Sequence, residues 1–131
     1  MPHVRSNGRN IWVEDSGGAG EPLLLVMGLG GQLIDWPPEF VDGLTAAGFR
    51  VIRFDNRDVG LSDSDDWEPP SRLQTAAAII SKRKQLDVGY RLTDMAADSV
   101  GVLAALGIGS AHVVGISMGG MIAQTMAIEY P

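Results

Sequence analysis

Cysteine is absent from this chain of 131 residues, which excludes disulfides and thiolate chemistry. Histidine is scarce. His3 and His112 are the only two, too few and too separated for a zinc cluster, so neither a metal nor a cofactor is expected. Basic side chains are in deficit, ten against sixteen acidic, and the formal charge of -6 repels phosphate backbones and anionic membranes. Nucleic acid and membrane are set aside as partners. No apolar run approaches the roughly 18 residues of a membrane span, and Met1-Pro2-His3-Val4-Arg5 lacks the apolar core and cleavage site of a secretory signal. A soluble, cytoplasmic protein is the expectation.

What is present is a 45% hydrophobic composition, enough at this length for one core, and residues 1–131 are expected to fold as a single domain. Val4 to Arg5 and Asn10 to Glu14 read as two strands joined by a turn whose Asn7-Gly8 pair is a strong hairpin signal. Leu23 to Met27 is a short continuous apolar run, the pattern of a strand buried on both faces of a parallel sheet. Pro37-Pro38 early and Gly48 late bracket a helix over Glu39 to Ala47. Phe49 to Phe54 is a further strand, and the polar stretch Asp55 to Gly60 is a loop at its carboxyl end. A helix is expected from about Arg72 to Lys84. Another is capped by Thr93 and carries Met95, Val102, Leu103 and Leu106 on one face. Ala111 to Ile116 then reads as a buried strand and Met118 to Tyr130 as a last helix. Strands alternating with helices predict an α/β sandwich with a mostly parallel sheet, helices on both faces, and ligands beyond the carboxyl ends of the strands.

Gly115-Ile116-Ser117-Met118-Gly119 spells G-x-S-x-G between that last strand and helix, the sequence form and context of a nucleophile elbow. A serine hydroxyl is a weak nucleophile until a base takes its proton, so its placement matters as much as its identity. The tight turn projects Ser117 above the sheet, and the helix N-terminus offers N–H groups to a developing oxyanion, Met118 first. After the earlier apolar strand, Gly28-Leu29-Gly30-Gly31 lets backbone approach a ligand, and the Leu29 N–H is the expected second donor, with Gly30 behind it. A dinucleotide fingerprint would need glycine at position 33, where Leu33 stands.

Three segments carry a resemblance: Leu24 to Gly31; Phe54-Asp55-Asn56-Arg57-Asp58-Val59-Gly60-Leu61-Ser62, similar to a D-x-R-x-x-G-x-S loop; and Arg91 to Pro131 with the elbow. In this order they resemble the N-terminal half of an α/β-hydrolase-fold protein. The resemblance implies a strand order 1-2-4-3-5, Ser117 as nucleophile, and Leu29 and Met118 as oxyanion donors. It differs at Met27 and Ile116, where many relatives carry histidine. Later strands, cap insertion, acid and base have no counterpart, so the chain looks like the front half of an enzyme. Serine in place of aspartate points away from dehalogenase and epoxide hydrolase chemistry. Thioesterase, lactonase, acyltransferase and C–C hydrolase activities stay open beside esterase.

Neither histidine is placed to serve Ser117. His112 begins the strand that leads to the serine, roughly 16 Å from its catalytic end, and His3 belongs on the first hairpin. Asp55 and Asp58, with Arg57, are expected to brace their loop, and Asp94 and Asp98 to complement a helix dipole. Trp36 and Trp67 are candidates for acyl contact or for ordinary burial, and Lys82-Arg83-Lys84 reads as a solvated helix face. The leading expectation is a carboxylesterase-like serine hydrolase acting on small acyl esters through Ser117. The alternative is a catalytically incomplete fragment serving as a binding or self-associating module. Stopping after Tyr130-Pro131 makes residues 111–116 an unprotected edge strand, from which a homodimer through that edge is expected.

Overall fold

A computed structural model of the chain describes residues 3–64, 73 and 90–131. Strands β1 (His3–Ser6) and β2 (Arg9–Asp15) form the hairpin, and the turn between them holds Asn7 at φ 51° and Gly8 at φ 80°. Two consecutive positive φ values are what a type I′ turn requires, and its twist matches that of the flanking strands. Strands β3 (Glu21–Val26), β4 (Phe49–Phe54) and β5 (His112–Gly115) complete one sheet in the order β1-β2-β4-β3-β5. The hairpin side is antiparallel; β4, β3 and β5 run parallel.

Period-two alternation divides β3 between two cores. Leu23, Leu25 and Met27 face one side with Val51 and Trp36, where Val41 and Leu44 of helix α1 (Pro38–Ala46) close the layer. Leu24 and Val26 face the other side with Ile11, Val13, Ile52 and Phe54. That second core is covered by Met95, Ala96, Val102 and Leu103 of helix α2 (Leu92–Ala105) and by Ile122 and Met126 of helix α3 (Met118–Glu129). Helices therefore lie on both faces, as the alternation of elements predicts.

Two local expectations need correction. Helix α2 begins one residue before Thr93: its N-cap is Arg91, whose backbone N–H donates to the Asp94 carboxylate at 2.8 Å. The Asp94 carboxylate at N3 reaches back to the cap N–H, one half of a capping box, and Thr93 lies inside the first turn instead of capping it. Asp98 does not lie free against the helix dipole; it is 2% exposed and paired with Arg57. The expected helix over residues 72–84, Trp67 and Lys82-Arg83-Lys84 lie outside the described residues, apart from Leu73.

β5 is the last strand of the sheet and is not buried as expected: none of its residues is buried, Val114 is 37% exposed, and Ile116 just beyond it is 52% exposed, because no strand covers this edge among the described residues. Beside it runs an apolar groove of about 820 Å³ lined by Leu103, Ile108, Val113, Met126 and Tyr130, among others. Among the described residues, no helix is long and apolar enough to cross a membrane.

Candidate active site

The site is built at the carboxyl ends of β3, β4 and β5. The ladder between β3 and β5 ends with Ile116 N–H donating to Val26 O at 3.2 Å. One residue later the chain reverses into α3, and Ser117 sits at φ 54°, ψ -123°. A non-glycine residue held there stores strain of about 1–3 kcal/mol and persists only where the surroundings over-determine it. The surroundings here are glycines. A Cβ on Gly115 would overlap Gly119 O, and one on Gly119 would overlap Val26 O. The two outer positions of G-x-S-x-G are thus set by backbone packed on backbone, which no side chain permits.

The glycine turn after β3 closes against this elbow. A Cβ on Gly28 would lie 3.2 Å from Ser117 Cβ and 3.7 Å from Met118 N, so the two segments touch. Gly31 N–H donates to Gly28 O at 3.2 Å, and Gly30, at the third position, has φ 73°, the pattern of a type II turn. Because a trans peptide points its C=O and N–H in opposite directions, that bond also fixes the direction of the Leu29 N–H. Among the described residues neither the Leu29 nor the Met118 N–H has an acceptor, whereas Gly119 N–H and Gly120 N–H are bound to Ile116 O and Ser117 O. Leu29 in the glycine turn, Ile116 before the serine and Met121 in the first turn of α3 have exposed apolar side chains.

The loop after β4 holds this edge in place. Asp55 is 2% exposed and accepts from Leu33 N–H at 2.7 Å and Leu61 N–H at 3.0 Å. Ser62 Oγ–H donates to Asp55 O and accepts from Trp12 N–H. Asn56 Nδ2 donates to Met27 O at 3.0 Å, and Arg57 reaches Asp98 on α2. Asp58 is exposed, at φ 68°. Asp55 and Arg57 therefore brace their loop, as expected. Asn56 was missed: a polar loop residue carries no sequence signal for a partner 29 positions away.

Neither histidine comes near Ser117. His112 is at the opposite end of β5, with Nε2 2.7 Å from the Glu21 carboxylate. His3 lies on β1, four strand spacings from β5, or about 19 Å across the sheet. Its Nε2 is 2.9 Å from Leu61 O and its ring meets Trp12 edge-on. Trp36 is buried, stacked on Phe40 at 5.6 Å in the α1 layer. Among the described residues there is no cluster of three or more His, Asp or Glu able to hold a metal ion.

The profile of the alpha/beta hydrolase fold matches residues 21–131. Rhodomycin D methylesterase DnrP of Streptomyces peucetius is 36% identical over 122 residues, 92% of this chain and 35% of that protein. A 2-hydroxy-6-oxononadienedioate/2-hydroxy-6-oxononatrienedioate hydrolase of Burkholderia vietnamiensis is 35% identical over 123 residues, 92% of this chain and 36% of its own. The structure of the enol-lactonase from Burkholderia xenovorans LB400 superposes with a TM-score of 0.76 at 25% identity, covering 98% of this chain and 42% of that one. The chain spans roughly a third of the length of the curated relatives it matches.

Proposed function

Since this chain belongs to the alpha/beta hydrolase family, we propose that it is the nucleophile-bearing part of a serine hydrolase of the carboxylesterase kind. Ser117 Oγ attacks the carbonyl carbon of a small acyl ester, the carbonyl oxygen becomes an oxyanion, and the alcohol leaves to give an acyl-serine that water then hydrolyses. The Leu29 and Met118 N–H groups receive the oxyanion. One such donor is worth about 10²–10³ in turnover. The observation that carries the reading is the strained Ser117 backbone, φ 54°, at a helix start pressed against a glycine turn, with two N–H groups beside it that bind nothing among the described residues. The exposed apolar side chains of Leu29, Ile116 and Met121 suit a short aliphatic acyl group.

Neither histidine of residues 1–131 is placed to take the Ser117 proton, so in this reading the proton acceptor comes from outside these residues. A second copy is one source. The exposed edge of β5 and the groove beside it offer a homodimer a surface on which strand can pair with strand. Light scattering at micromolar concentration checks this, and a monomer throughout removes the dimer.

The remoteness of the histidines also favours a second reading, in which these residues bind without turning over. Hydrolysis of a short-chain p-nitrophenyl ester by the wild-type chain and by Ser117→Ala decides between them. Activity lost in the variant supports the nucleophile. Equal rates select the binding module. Weak turnover would not establish a complete triad, since the oxyanion hole and binding alone leave about 10³–10⁴-fold acceleration over water.

A further inference from the structure

The geometry points to Asn56 as the positioning residue of the glycine turn that presents the Leu29 N–H. Its catalytic consequence rests on the Ser117 reading above; its structural content does not.

Parallel pairing of β3 with β4 ends at Leu25 with Arg53. Two residues further on, Met27 has no backbone partner on the β4 side among the described residues, yet its carbonyl is not idle: the Asn56 carboxamide, 3% exposed, donates to it at 3.0 Å. The side chain thus takes the place of the next rung and carries β3 on to the last residue before Gly28. Gly119 of the elbow also lies close to Met27 O: a Cβ there would approach it to 2.9 Å. The carbonyl therefore sits at the joint between the glycine turn and the elbow, and Asn56 is the hydrogen-bond donor at that joint.

Fixing Met27 O fixes the plane of the Met27–Gly28 peptide. The turn that starts there is closed by a single bond, Gly31 N–H to Gly28 O, with no side chain at three of its four positions to hold it otherwise. Without the Asn56 amide the turn keeps its packing against the elbow and the Leu33 N–H bond to Asp55 beyond it, but the Met27–Gly28 peptide loses its hydrogen-bond donor and Leu29 N–H its aim. A carboxamide is required because the role is donation. Aspartate has the same shape but offers an acceptor to an acceptor. The amide touches no reacting atom, so its loss lowers turnover without weakening substrate binding.

The test compares wild type with Asn56→Leu and Asn56→Asp by amide hydrogen exchange and ¹H–¹⁵N spectra, beside ester kinetics. Both variants are expected to keep the amide protection of β4 and α1. The Gly31 N–H is expected to exchange about tenfold faster, with the Leu29 resonance displaced. Where wild type turns over, kcat falls about 10²-fold, the cost of misplacement on the ångström scale, and KM stays within about twofold. Unchanged Gly31 exchange and an unmoved Leu29 resonance overturn the assignment. Equal hydrolysis by wild type and Ser117→Ala sinks the hydrolase reading instead, and the exchange result still decides Asn56. If neither variant folds, wild type decides. One Asn56 Nδ2 proton must exchange more slowly than the carboxamide of Gln124, which is exposed on α3, and equal exchange overturns the assignment.

Discussion

Arg57 and Asp98 meet through two hydrogen bonds, Nε to Oδ2 at 2.6 Å and Nη2 to Oδ1 at 2.7 Å, with side chains only 2% and 3% exposed. The pair joins the loop after β4 to α2, and the hairpin joins in: Asn7 Nδ2 donates to Asp98 Oδ1 and Ser6 Oγ to Asp98 O. Arg57 also lies over the Tyr90 ring, 4.7 Å from its centroid. Removing one partner takes the opposite charge away from a buried ion, which costs about 3–5 kcal/mol, whereas removing both need not. Asp98→Ala is expected to lower the unfolding free energy measured in urea by that amount, with a lower midpoint. Arg57→Met combined with Asp98→Leu should recover much of the loss. An unchanged midpoint in the single variant contradicts this role.

Strain at Ser117 gives a second expectation. Glycine tolerates φ 54° without penalty, so Ser117→Gly should be more stable than Ser117→Ala by about 1 kcal/mol. Parallel thermal melts measure the difference. Equal melting temperatures mean that the backbone at position 117 relaxes at no cost.

Neighbouring glycines of α3 should respond differently. Gly119→Ala drives a methyl into Val26 O and is expected to destabilise by about 2 kcal/mol or more, since backbone must move. At Gly120 a Cβ meets Gly115 O at an ordinary 3.5 Å, and Gly120→Ala should be neutral or stabilising by up to about 1 kcal/mol. Denaturant unfolding of the two variants checks the contrast.

Acid should release one specific contact. The Arg50 guanidinium, hydrogen-bonded at 2.6 and 3.0 Å, holds the Asp15 carboxyl below its ordinary range, helped by the Gly17 N–H and opposed by burial. A lowered folded pKa stabilises the fold above the unfolded value, near 3.8, and that contribution is lost as pH falls through the folded value. Asp15→Asn should therefore be less stable than wild type at pH 6, with the gap closing below pH 3.8. A gap of constant size across that range contradicts the ion pair.

Much of this architecture is legible in the sequence because it rests on short-range rules. Asn7-Gly8 declares a hairpin, Leu23 to Met27 a doubly buried strand, and Gly115, Ser117 and Gly119 an elbow whose spacing is dictated by backbone contact. Long-range side-chain partners are not legible in that way. Asn56 with Met27 and Arg57 with Asp98 are 29 and 41 positions apart, and a polar residue in a loop looks the same whether it meets water or a buried carbonyl. Arg91 is an unusual N-cap, invisible until Asp94 is seen reaching back to it. Placing His3 took the strand order, which puts β1 and β5 at opposite edges of the sheet.

Whether Ser117 is the nucleophile is decided most directly by reacting the chain with a fluorophosphonate and locating the adduct by peptide mass spectrometry. In the proposed reaction, Ser117 Oγ displaces fluoride from phosphorus and the Leu29 and Met118 N–H groups receive the phosphoryl oxygen. The expected result is one phosphonylated residue, Ser117, with no adduct in Ser117→Ala. Labelling spread over other hydroxyls, or equal labelling in the variant, contradicts a nucleophile at this position.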